Sequence, residues 1–521
     1  MQGEEGRHWW ERRAFAAALV IATCIPLLWP EVPPLVDLPG HMARYRVQLE
    51  IGQSEALRGF YHFEWALIGN LGVDLLVIPL AKLFGLELAV KLIVLAIPPM
   101  SAAGFLWVAR EVNGRLPPTA AFAIPFAYNY PFFFGFVNFA LSMALALLAF
   151  GLWLRLARLG RLRLRAALFV PISIALWITH AFGWGTLGVL AFSAELVRQV
   201  DLRRPILIAG FRTVVQCLAV APPLLLMLLW RGSGEAGGNT TDWFNWSRKL
   251  DWLVMALRDR WESFDIASLA LIGLLLLFAL VHRRIEYSRN LAASAIFLAI
   301  VFALLPRIVF GSAYADMRLV PYLIGVAVIA IRLRAGVSHR LTATLAVAAL
   351  AFFLVRTGAT TASVLLHDRS YDRELAALER LPREARLLSF VGRRCGDRWA
   401  MSRLEHLPGM ATVRRRAFSN DQWSMAGAQL LRVRYPASTR FTGDPSQMVV
   451  ASRCRGERWM PIDVALATFP RAAFDYLWLI RPPPYDERLT RGLTPLWRNG
   501  SSVLYAVGKG PPPQAVPGDN E

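Results

Sequence analysis

Long apolar runs separated by short polar turns fill the first two thirds of the chain. The first of these runs covers Ala14 to Trp29. A helix of about 20 apolar residues crosses the hydrocarbon core of a bilayer, and several later runs approach that length. They lie at 87–109, 118–130, 137–155, 166–180, 182–197, 206–230, 264–282, 290–305, 319–333 and 341–357. The pattern predicts a mainly α-helical, polytopic membrane protein of about 11 spans.

The pattern changes at about residue 359, where charged residues and turn signals become frequent and no later run could span a bilayer. Here the apolar positions predict one helix, two buried strands and a hairpin turn, at Tyr371–Leu381, Arg386–Val391, Phe474–Ile480 and Asn499–Gly500. We therefore expect a transmembrane module at 1–358 and a small α+β domain at 359–510. The Pro- and Gly-rich end, 511–521, is typical of disorder.

The distribution of arginine predicts how the helices are oriented. We expect 67–84 to stay on the outer side, because Asp74, Pro79 and Lys82 interrupt a segment already short for a span. The cytoplasmic turns then contain Arg110, Arg115, Arg155, Arg158, Arg161, Arg163, Arg165, Arg198, Arg203, Arg204, Arg283, Arg284, Arg289, Arg332, Arg334 and Arg340. The short outer loops contain Arg307 and Arg318. Cytoplasmic loops are enriched in Lys and Arg. We therefore expect the N-terminus inside a bacterial inner membrane, and the first outer loop (31–86) and C-terminal domain outside.

Composition narrows the functional classes. Hydrophobic residues make up 55% of the 521 residues, and the formal net charge is +20. Such a charge in a soluble protein would suggest nucleic-acid binding, but membrane orientation explains it here. We expect membrane lipids, and no nucleic acid, as partners. Cys395 and Cys454 lie in the domain expected outside, an oxidising compartment, so we predict a disulfide between them. The sequence has no P-loop, zinc-ligand spacing or Gly-x-Ser-x-Gly motif, which argues against ATPases, metalloproteases and lipases.

One polar stretch follows the first apolar run directly. If Asp37 caps a helix that begins at Leu38, then Asp37, His41 and Arg44 share one helix face at positions i, i+4 and i+7. A carboxylate, an imidazole and a guanidinium would then lie together at the membrane surface. The structural alternative is an Asp N-cap with Pro39 in the first turn, which requires no chemistry.

Further polar residues collect at the outer ends of the predicted spans. They are Asp74, Lys82, Asn129, His180, Arg307, Asp316 and Arg318. Several have structural alternatives: His180 can end a helix and Asn129 can serve a turn. Asp316 and Arg318 can form a surface pair of little energy. Asp74 and Lys82 are harder to explain in this way, because a charge in an apolar segment is costly without a partner.

This layout resembles the GT-C class of polytopic glycosyltransferases. The resemblance covers residues 10–358. It rests on one span, a long outer loop with an early acid, two juxtamembrane helices, and spans joined by Arg-rich inner turns. The run Val36-Asp37-Leu38-Pro39-Gly40-His41-Met42-Ala43-Arg44 is also similar to an Asp-x-Pro-x-His-x-Ala-Arg pattern in a group of bacterial membrane proteins. The resemblance implies transfer of a sugar from a polyprenyl-phosphate donor to an envelope glycan, lipid or protein, with Asp37 as base or metal ligand.

The residues then take the following expected roles. Asp37 would accept the proton of the acceptor hydroxyl, oriented or tuned by His41. The groups that could neutralise the leaving phosphate are Arg318, Arg307, Lys82 and Arg44. We predict that Asp37, His41 and Arg318 share one outer pocket, with about 8–12 Å between Asp37 and Arg318.

Many members of the class carry paired acids in the second outer loop, but residues 128–138 contain no Asp or Glu. We therefore expect no metal site of that kind, and the sequence leaves open whether a divalent cation binds elsewhere. Two other functions also stay open. A transporter or flippase of lipid or polysaccharide should show charges or broken helices at the membrane midplane, and these signals are weak. A non-catalytic membrane scaffold would use its tail to bind an envelope partner.

Overall fold

The structure is a computed structural model that describes residues 8–232, 239–334, 336–425, 429–454 and 458–508. The end predicted to be disordered, 511–521, lies outside these residues. The helices are α1 Arg13–Ala22, α2 Leu38–Glu50, α3 Glu55–Phe60, α4 Gly72–Phe84, α5 Leu86–Asn113, α6 Tyr130–Phe134, α7 Val137–Arg158, α8 Leu162–Thr179, α9 Ala181–Asp201, α10 Ile206–Cys217, α11 Pro223–Gly232, α12 Trp246–Val254, α13 Glu262–Val281, α14 Arg289–Leu304, α15 Val320–Ile329, α16 His339–Leu375, α17 Gly409–Arg415 and α18 Ile462–Thr468.

The strands are fewer and mostly late in the chain. They are β1 Tyr61–Phe63, β2 Ile285–Tyr287, β3 Ile331–Leu333, β4 Leu387–Gly392, β5 Leu431–Val433, β6 Met448–Val450, β7 Met460–Pro461, β8 Tyr476–Ile480, β9 Leu493–Asn499 and β10 Ser502–Val507. The protein is therefore mostly helical with a small sheet region near its C-terminus, as the sequence predicts.

Among the described residues, five helices are long and apolar enough to cross a membrane. They are Leu86–Asn113, Val137–Arg158, Leu162–Thr179, Glu262–Val281 and His339–Arg380. A sixth is added if Ile206–Val220 and Pro223–Trp230, which bend by 65° at a short break, count as one span. These helices fit a membrane protein, but the predicted number of about 11 spans is not confirmed.

The largest difference from the predicted spans is at 118–130. Residues Ala120–Tyr128 form a 3-10 helix instead of a spanning α-helix. Nine residues at a rise of about 2 Å give only about 18 Å, well short of the hydrocarbon core of about 30 Å. Pro117, Pro118 and Pro125 explain the change, because each lacks the N–H group that a regular helix requires.

The predicted outer segment at 67–84 begins irregularly, and its helix, α4, has 13 residues. At 1.5 Å per residue such a helix is about 20 Å long, which is short for a span. This length agrees with the expectation that the segment does not cross. The orientation of the chain stays a prediction.

The chain divides into two compact units, each formed by several segments. The helical unit contains Met1–Trp29, Leu67–Leu76 and Lys91–Val364. The mixed unit contains Pro30–Ala66, Val77–Val90 and Leu365–Glu521. The sequence prediction divides the chain at residue 358 and so assigns the first outer loop to the helices, whereas this division assigns most of that loop to the mixed unit.

Two contacts explain why the first outer loop belongs to the mixed unit. Strand β1 pairs antiparallel with β5, so that Tyr61 lies opposite Val433 and Phe63 opposite Leu431. Helix α2 packs against α17. Both contacts join residues more than 300 positions apart, and strands of three residues leave too short a pattern to be recognised in a sequence.

A six-stranded sheet in the order β7-β6-β4-β8-β10-β9 forms the centre of the mixed unit. Strand β4 is parallel to β6 and β8, and β10 is antiparallel to β8 and β9. Leu388, Phe390, Leu477 and Leu479 point into its buried core, and such burial stabilises by about 1.5–3 kcal/mol per side chain. The predicted strands at 386–391 and 474–480 and the Asn499–Gly500 hairpin are confirmed.

Candidate functional site

Asp37 occupies the N-cap position of α2, as predicted, and Pro39 lies in the first turn. The Asp37 side chain, however, makes no capping hydrogen bond to the helix. An N-cap carboxylate normally accepts from the backbone N–H of the second or third helical residue. The Asp37 carboxylate therefore does not cap the helix in this structure, and it is directed to other groups.

Two glycines allow the first turn of α2 to approach a later loop closely. A Cβ atom on Gly40 would lie 2.8 Å from the ring of Trp423 and 3.2 Å from Nδ1 of His406. A Cβ atom on Gly409 would lie 2.8 Å from the carbonyl oxygen of Pro39 and 2.9 Å from Oδ2 of Asp421. Real Cβ atoms do not pack this tightly, so larger residues would push the loop away from Asp37.

This approach brings Asp37 to a buried histidine. The Nε2 atom of His406 lies 3.9 Å from Oδ1 of Asp37 and 3.8 Å from Oδ1 of Asp444. Its Nδ1 atom lies 3.0 Å from the backbone oxygen of Asp421 and 3.7 Å from that residue's Oδ2. We refer to Asp37, Glu405, His406, Asp421 and Asp444 as the His406 cluster.

The carboxylates of the cluster are held by neighbouring side chains. The hydroxyl of Ser419 donates to Oδ1 of Asp421 over 2.6 Å, and the amide of Gln447 donates to Oδ1 of Asp444 over 2.8 Å. Oδ2 of Asp421 is buried and, among the described residues, has no hydrogen-bond partner. It is thus a buried acceptor directed at His406.

The predicted disulfide is confirmed and encloses most of the cluster. Cys395 and Cys454 are bonded, with their Cα atoms 5.9 Å apart. The 59-residue separation between them includes Glu405, His406, Asp421 and Asp444. Because a covalent link reduces the conformational freedom of the segment that it closes, the disulfide restrains the segment that carries these residues.

The electrostatic environment shifts the pKa values of His406 and His41 in opposite directions. Burial alone would lower the pKa of His406, but its contact with Asp421 and the charges of Asp444, Asp37 and Glu405 together raise that pKa to about 10. Burial, followed by the positive charges of Arg44 and His406, holds the pKa of His41 well below its usual range. At neutral pH His406 is therefore protonated, while His41 is neutral.

Glu405 completes a group of three possible metal ligands. One ligand atom each from Glu405, His406 and Asp444 lie within 4.8 Å of one another. Burial, and also the charge of Asp444, raises the pKa of Glu405, whereas His406 and two arginines lower it. Those arginines, Arg393 and Arg458, also lie over the ring of Trp459.

One side of the cluster is open and aromatic. The ring of Trp423, which is partly exposed, lies 4.2 Å from that of His406 and 5.0 Å from that of His41. The Asp444 side chain is 21% exposed, so solvent can reach its carboxylate. An indole beside several acids is an arrangement that binds polyhydroxylated groups by stacking and by hydrogen bonds.

The remaining predicted residues of the mixed unit differ in exposure. Arg44 is buried, with its guanidinium 4.9 Å from the ring centre of Tyr45, and it acts on the pKa of His41 as described. Lys82 is exposed near the end of α4. Arg44 thus belongs to the surroundings of the cluster, while Lys82 has no role in it that the structure describes.

The helical unit positions Asp74 and Asn138 together. The Asn138 amide donates to Oδ2 of Asp74 over 3.1 Å and to the backbone oxygen of Asn70 over 2.9 Å, and its oxygen accepts from the backbone of Val73. Asp74, a charge that the sequence could not match to a partner, is therefore buried beside the first turn of α7. Its contacts hold the start of α4.

Asn129 also has a structural role. Its oxygen accepts from the backbone N–H of Phe132 over 3.0 Å and caps α6, while its amide donates to the backbone oxygen of Phe126 over 2.7 Å. These contacts agree with the structural alternative, in which Asn129 stabilises a turn.

The charged residues of the last outer loop are paired with residues that the sequence prediction did not name. Asp316 accepts from Nζ of Lys249 over 3.1 Å, and both side chains are buried. Arg307 forms an ion pair with Asp242 on a more exposed surface. The predicted surface pair of Asp316 with Arg318 is thus replaced by a buried pair with Lys249.

His180 and Arg318 share two aromatic neighbours. Nδ1 of His180 accepts from the backbone N–H of Phe182 at the start of α9. The rings of Phe139 and Phe182 each lie 5.8 Å from that of His180, and 5.7 and 5.4 Å from the guanidinium of Arg318. The structure therefore brings together two of the predicted residues of the helical unit. Their predicted distance from Asp37 stays a prediction.

Other buried charges of the helical unit form pairs at hydrogen-bond distance. Arg165 lies 3.1 Å from Glu195, and Arg356 lies 2.7 Å from Asp265. Arg356 also donates to the backbone oxygen of Leu257 over 3.0 Å. The sequence prediction did not identify the pair of Arg356 and Asp265, because each stands near the end of an apolar run, where a charge is common.

The sequence prediction also missed four of the five cluster residues. Glu405, His406, Asp421 and Asp444 lie in polar loops with irregular spacing, so no periodicity or known motif marks them. Two signals were available: a pair of cysteines that encloses them, and a histidine between acids in a segment rich in turns. Neither signal indicates that Asp37 approaches the same histidine.

No protein-family model and no curated protein matches the chain. The function therefore has to be argued from the residues of the site.

Proposed function

We propose that this protein is a membrane-bound glycosyltransferase that moves a sugar from a polyprenyl-phosphate donor to an acceptor of the cell envelope, with the His406 cluster as its catalytic centre. The observation that supports this most is the position of Asp37. It starts a helix without capping it, and its carboxylate faces His406 beside the partly exposed ring of Trp423.

The proposed reaction is a single displacement. Asp37 accepts the proton of the acceptor hydroxyl while that oxygen forms a bond to the anomeric carbon of the sugar. The bond from this carbon to the phosphate oxygen breaks, and polyprenyl phosphate leaves with the electron pair. Attack from the face opposite the leaving group inverts the anomeric centre.

The rest of the cluster supports Asp37 in this role. A protonated His406 at 3.9 Å favours the ionised form of a carboxylate, as a base requires. The neutral His41 follows one helical turn later and can accept a hydrogen bond from a substrate hydroxyl, because its buried Nδ1 has no partner among the described residues. Trp423 offers a surface on which a sugar ring can stack.

The experiment compares Asp37→Asn with Asp372→Asn, an exposed acid of the same unit, in cells that lack the wild-type chain. If the proposal holds, only Asp37→Asn should remove the glycosylated product and cause the lipid-linked sugar to accumulate on the outer leaflet. The lipid-linked sugar would instead accumulate on the inner leaflet if the protein were a flippase, and that result would overturn the proposal. So would normal product formation by Asp37→Asn.

A further inference from the structure

We propose that Glu405, His406 and Asp444 bind a divalent cation of the Mn²⁺ or Zn²⁺ type. One ligand atom of each already lies within 4.8 Å of the other two. The donor set, one imidazole and two carboxylates, is typical of these ions. The site lies beside Asp37 but uses none of the residues that the sequence prediction selected.

The orientation of His406 fits a metal ligand. Its Nδ1 lies 3.0 Å from the backbone oxygen of Asp421, the distance of a hydrogen bond in which the ring N–H donates. Metal-binding histidines commonly donate their second ring nitrogen to a carbonyl or carboxylate in this way, which fixes the ring and its tautomer. The other nitrogen, Nε2, then faces Asp444 and Asp37.

The spacing at Nε2 is better suited to a shared ion than to hydrogen bonds. The oxygens of Asp444 and Asp37 lie 3.8 and 3.9 Å away, beyond the 2.7–3.2 Å of a hydrogen bond. Two ligands of one ion at about 2.1 Å lie roughly 3.0–3.5 Å apart. Binding of an ion would therefore require Asp444 to approach Nε2 by about 0.3–0.8 Å, and would also require Glu405 to approach, because the three ligand atoms lie within 4.8 Å of one another.

The negative charge of the carboxylates around His406 also favours a bound cation. Besides Glu405 and Asp444, the buried Oδ2 of Asp421 is directed at the imidazole and has no hydrogen-bond partner among the described residues. Arg393 and Arg458, which lie over the ring of Trp459, offset part of this negative charge.

An ion bound to His406 would lie on the same side of the sugar as Asp37, which is the side of the acceptor in the proposed reaction. A divalent cation can bind a hydroxyl oxygen and lower its pKa, so that a base removes the proton more readily. The partial exposure of Asp444 leaves a side from which such a group can enter. Only this role rests on the proposed glycosyl transfer, since binding of the cation does not depend on the reaction.

The test titrates Mn²⁺ into the purified full-length protein in detergent, with any affinity tag removed, and follows the loss of the free-ion signal by electron paramagnetic resonance. We expect one ion per chain. Asp444→Asn and Glu405→Gln should each weaken binding at least about tenfold, as loss of a charged ligand or of its support does. Glu379→Gln, an exposed acid of the same unit, should leave binding unchanged. A parallel titration with Zn²⁺, read by competition, covers the second ion.

The inference is overturned if the wild-type protein binds neither ion, or binds both as tightly as a folded Asp444→Asn or Glu405→Gln variant does. Cation binding together with full transfer by Asp37→Asn would instead contradict only the proposed function.

Discussion

The ion pairs of the helical unit and the His406 cluster of the mixed unit hold buried carboxylates in different ways. In the helical unit, three buried carboxylates each have a cationic partner at hydrogen-bond distance, as in Arg356 with Asp265 and Lys249 with Asp316. In the His406 cluster, three carboxylates lie 3.7–3.9 Å from one imidazole, and a fourth, Glu405, lies close by. Ion pairs at hydrogen-bond distance, such as Arg356 with Asp265, stabilise the fold. A group of four acids around one imidazole, with three of them at distances longer than hydrogen bonds, is typical of a site that binds or transforms something.

Breaking a matched pair should have the largest effect on stability. Arg356→Ala leaves the Asp265 carboxylate in a buried position without its cation, and the expected loss is about 3–5 kcal/mol. Asp444→Asn, by contrast, changes a side chain that is 21% exposed and should cost less than Arg356→Ala in metal-free protein. Thermal unfolding in detergent, followed by circular dichroism, measures both. Equal destabilisation by the two variants would remove the distinction between the units.

Opening the disulfide should have the next largest effect and should act on the mixed unit alone. The double change Cys395→Ser and Cys454→Ser releases the segment that carries four cluster residues, with an expected loss of about 2–4 kcal/mol. Transfer activity should fall with it. The matched control is Cys217→Ser, since Cys217 is a free cysteine of the helical unit. If both changes have the same effect on activity, the disulfide does not restrain the cluster.

A larger residue at Gly40, where α2 approaches the loop of Trp423 and His406, should disturb the His406 cluster more than the fold. A Cβ atom at Gly40 would lie 2.8 Å from Trp423, and overpacking of this kind costs about 1–3 kcal/mol. Gly59→Ala is the control, because Gly59 is helical and has open space around it. It should be neutral or slightly stabilising. Gly40→Ala with normal activity and stability would show that the approach of α2 to His406 is not required.

The carboxylates around His406 also predict a pH dependence. The folded-state pKa of His406 is about 10, above its unfolded value of about 6.5. Protonation therefore stabilises the metal-free protein fully below pH 6.5, and this contribution is lost as the pH rises towards 10. The slope is at most about 1.4 kcal/mol per pH unit. His406→Gln should flatten the fall in stability between pH 7 and 9, and an unchanged slope would contradict the raised pKa.

The sequence was sufficient for features that depend on neighbouring residues. Short apolar runs predicted β4 and β8, and Asn499–Gly500 predicted the hairpin turn. These predictions succeed because turn and strand preferences are local. Asp37 was found because it follows the first apolar run beside Pro39. The number of spans was less predictable, since Pro117, Pro118 and Pro125 convert an apolar run into a short 3-10 helix.

The cluster itself depends on contacts that no local pattern contains. Asp37 and His406 are far apart in the chain, and they meet because Gly40 and Gly409 allow two segments to pack closely. Asp316 illustrates the same limit, because its cationic partner is Lys249 and not its sequence neighbour Arg318. Long-range packing decides which charges are matched and which form a site.

We propose that Asp37 is the base of a transfer centre built around His406. The most direct test is the rate of sugar transfer from a polyprenyl-phosphate donor by purified Asp37→Asn, compared with the wild type and Asp372→Asn at equal folded fraction. We expect a loss of about 10²–10⁴-fold for Asp37→Asn, the usual contribution of general base catalysis, and none for Asp372→Asn. A normal rate for folded Asp37→Asn would contradict this proposal.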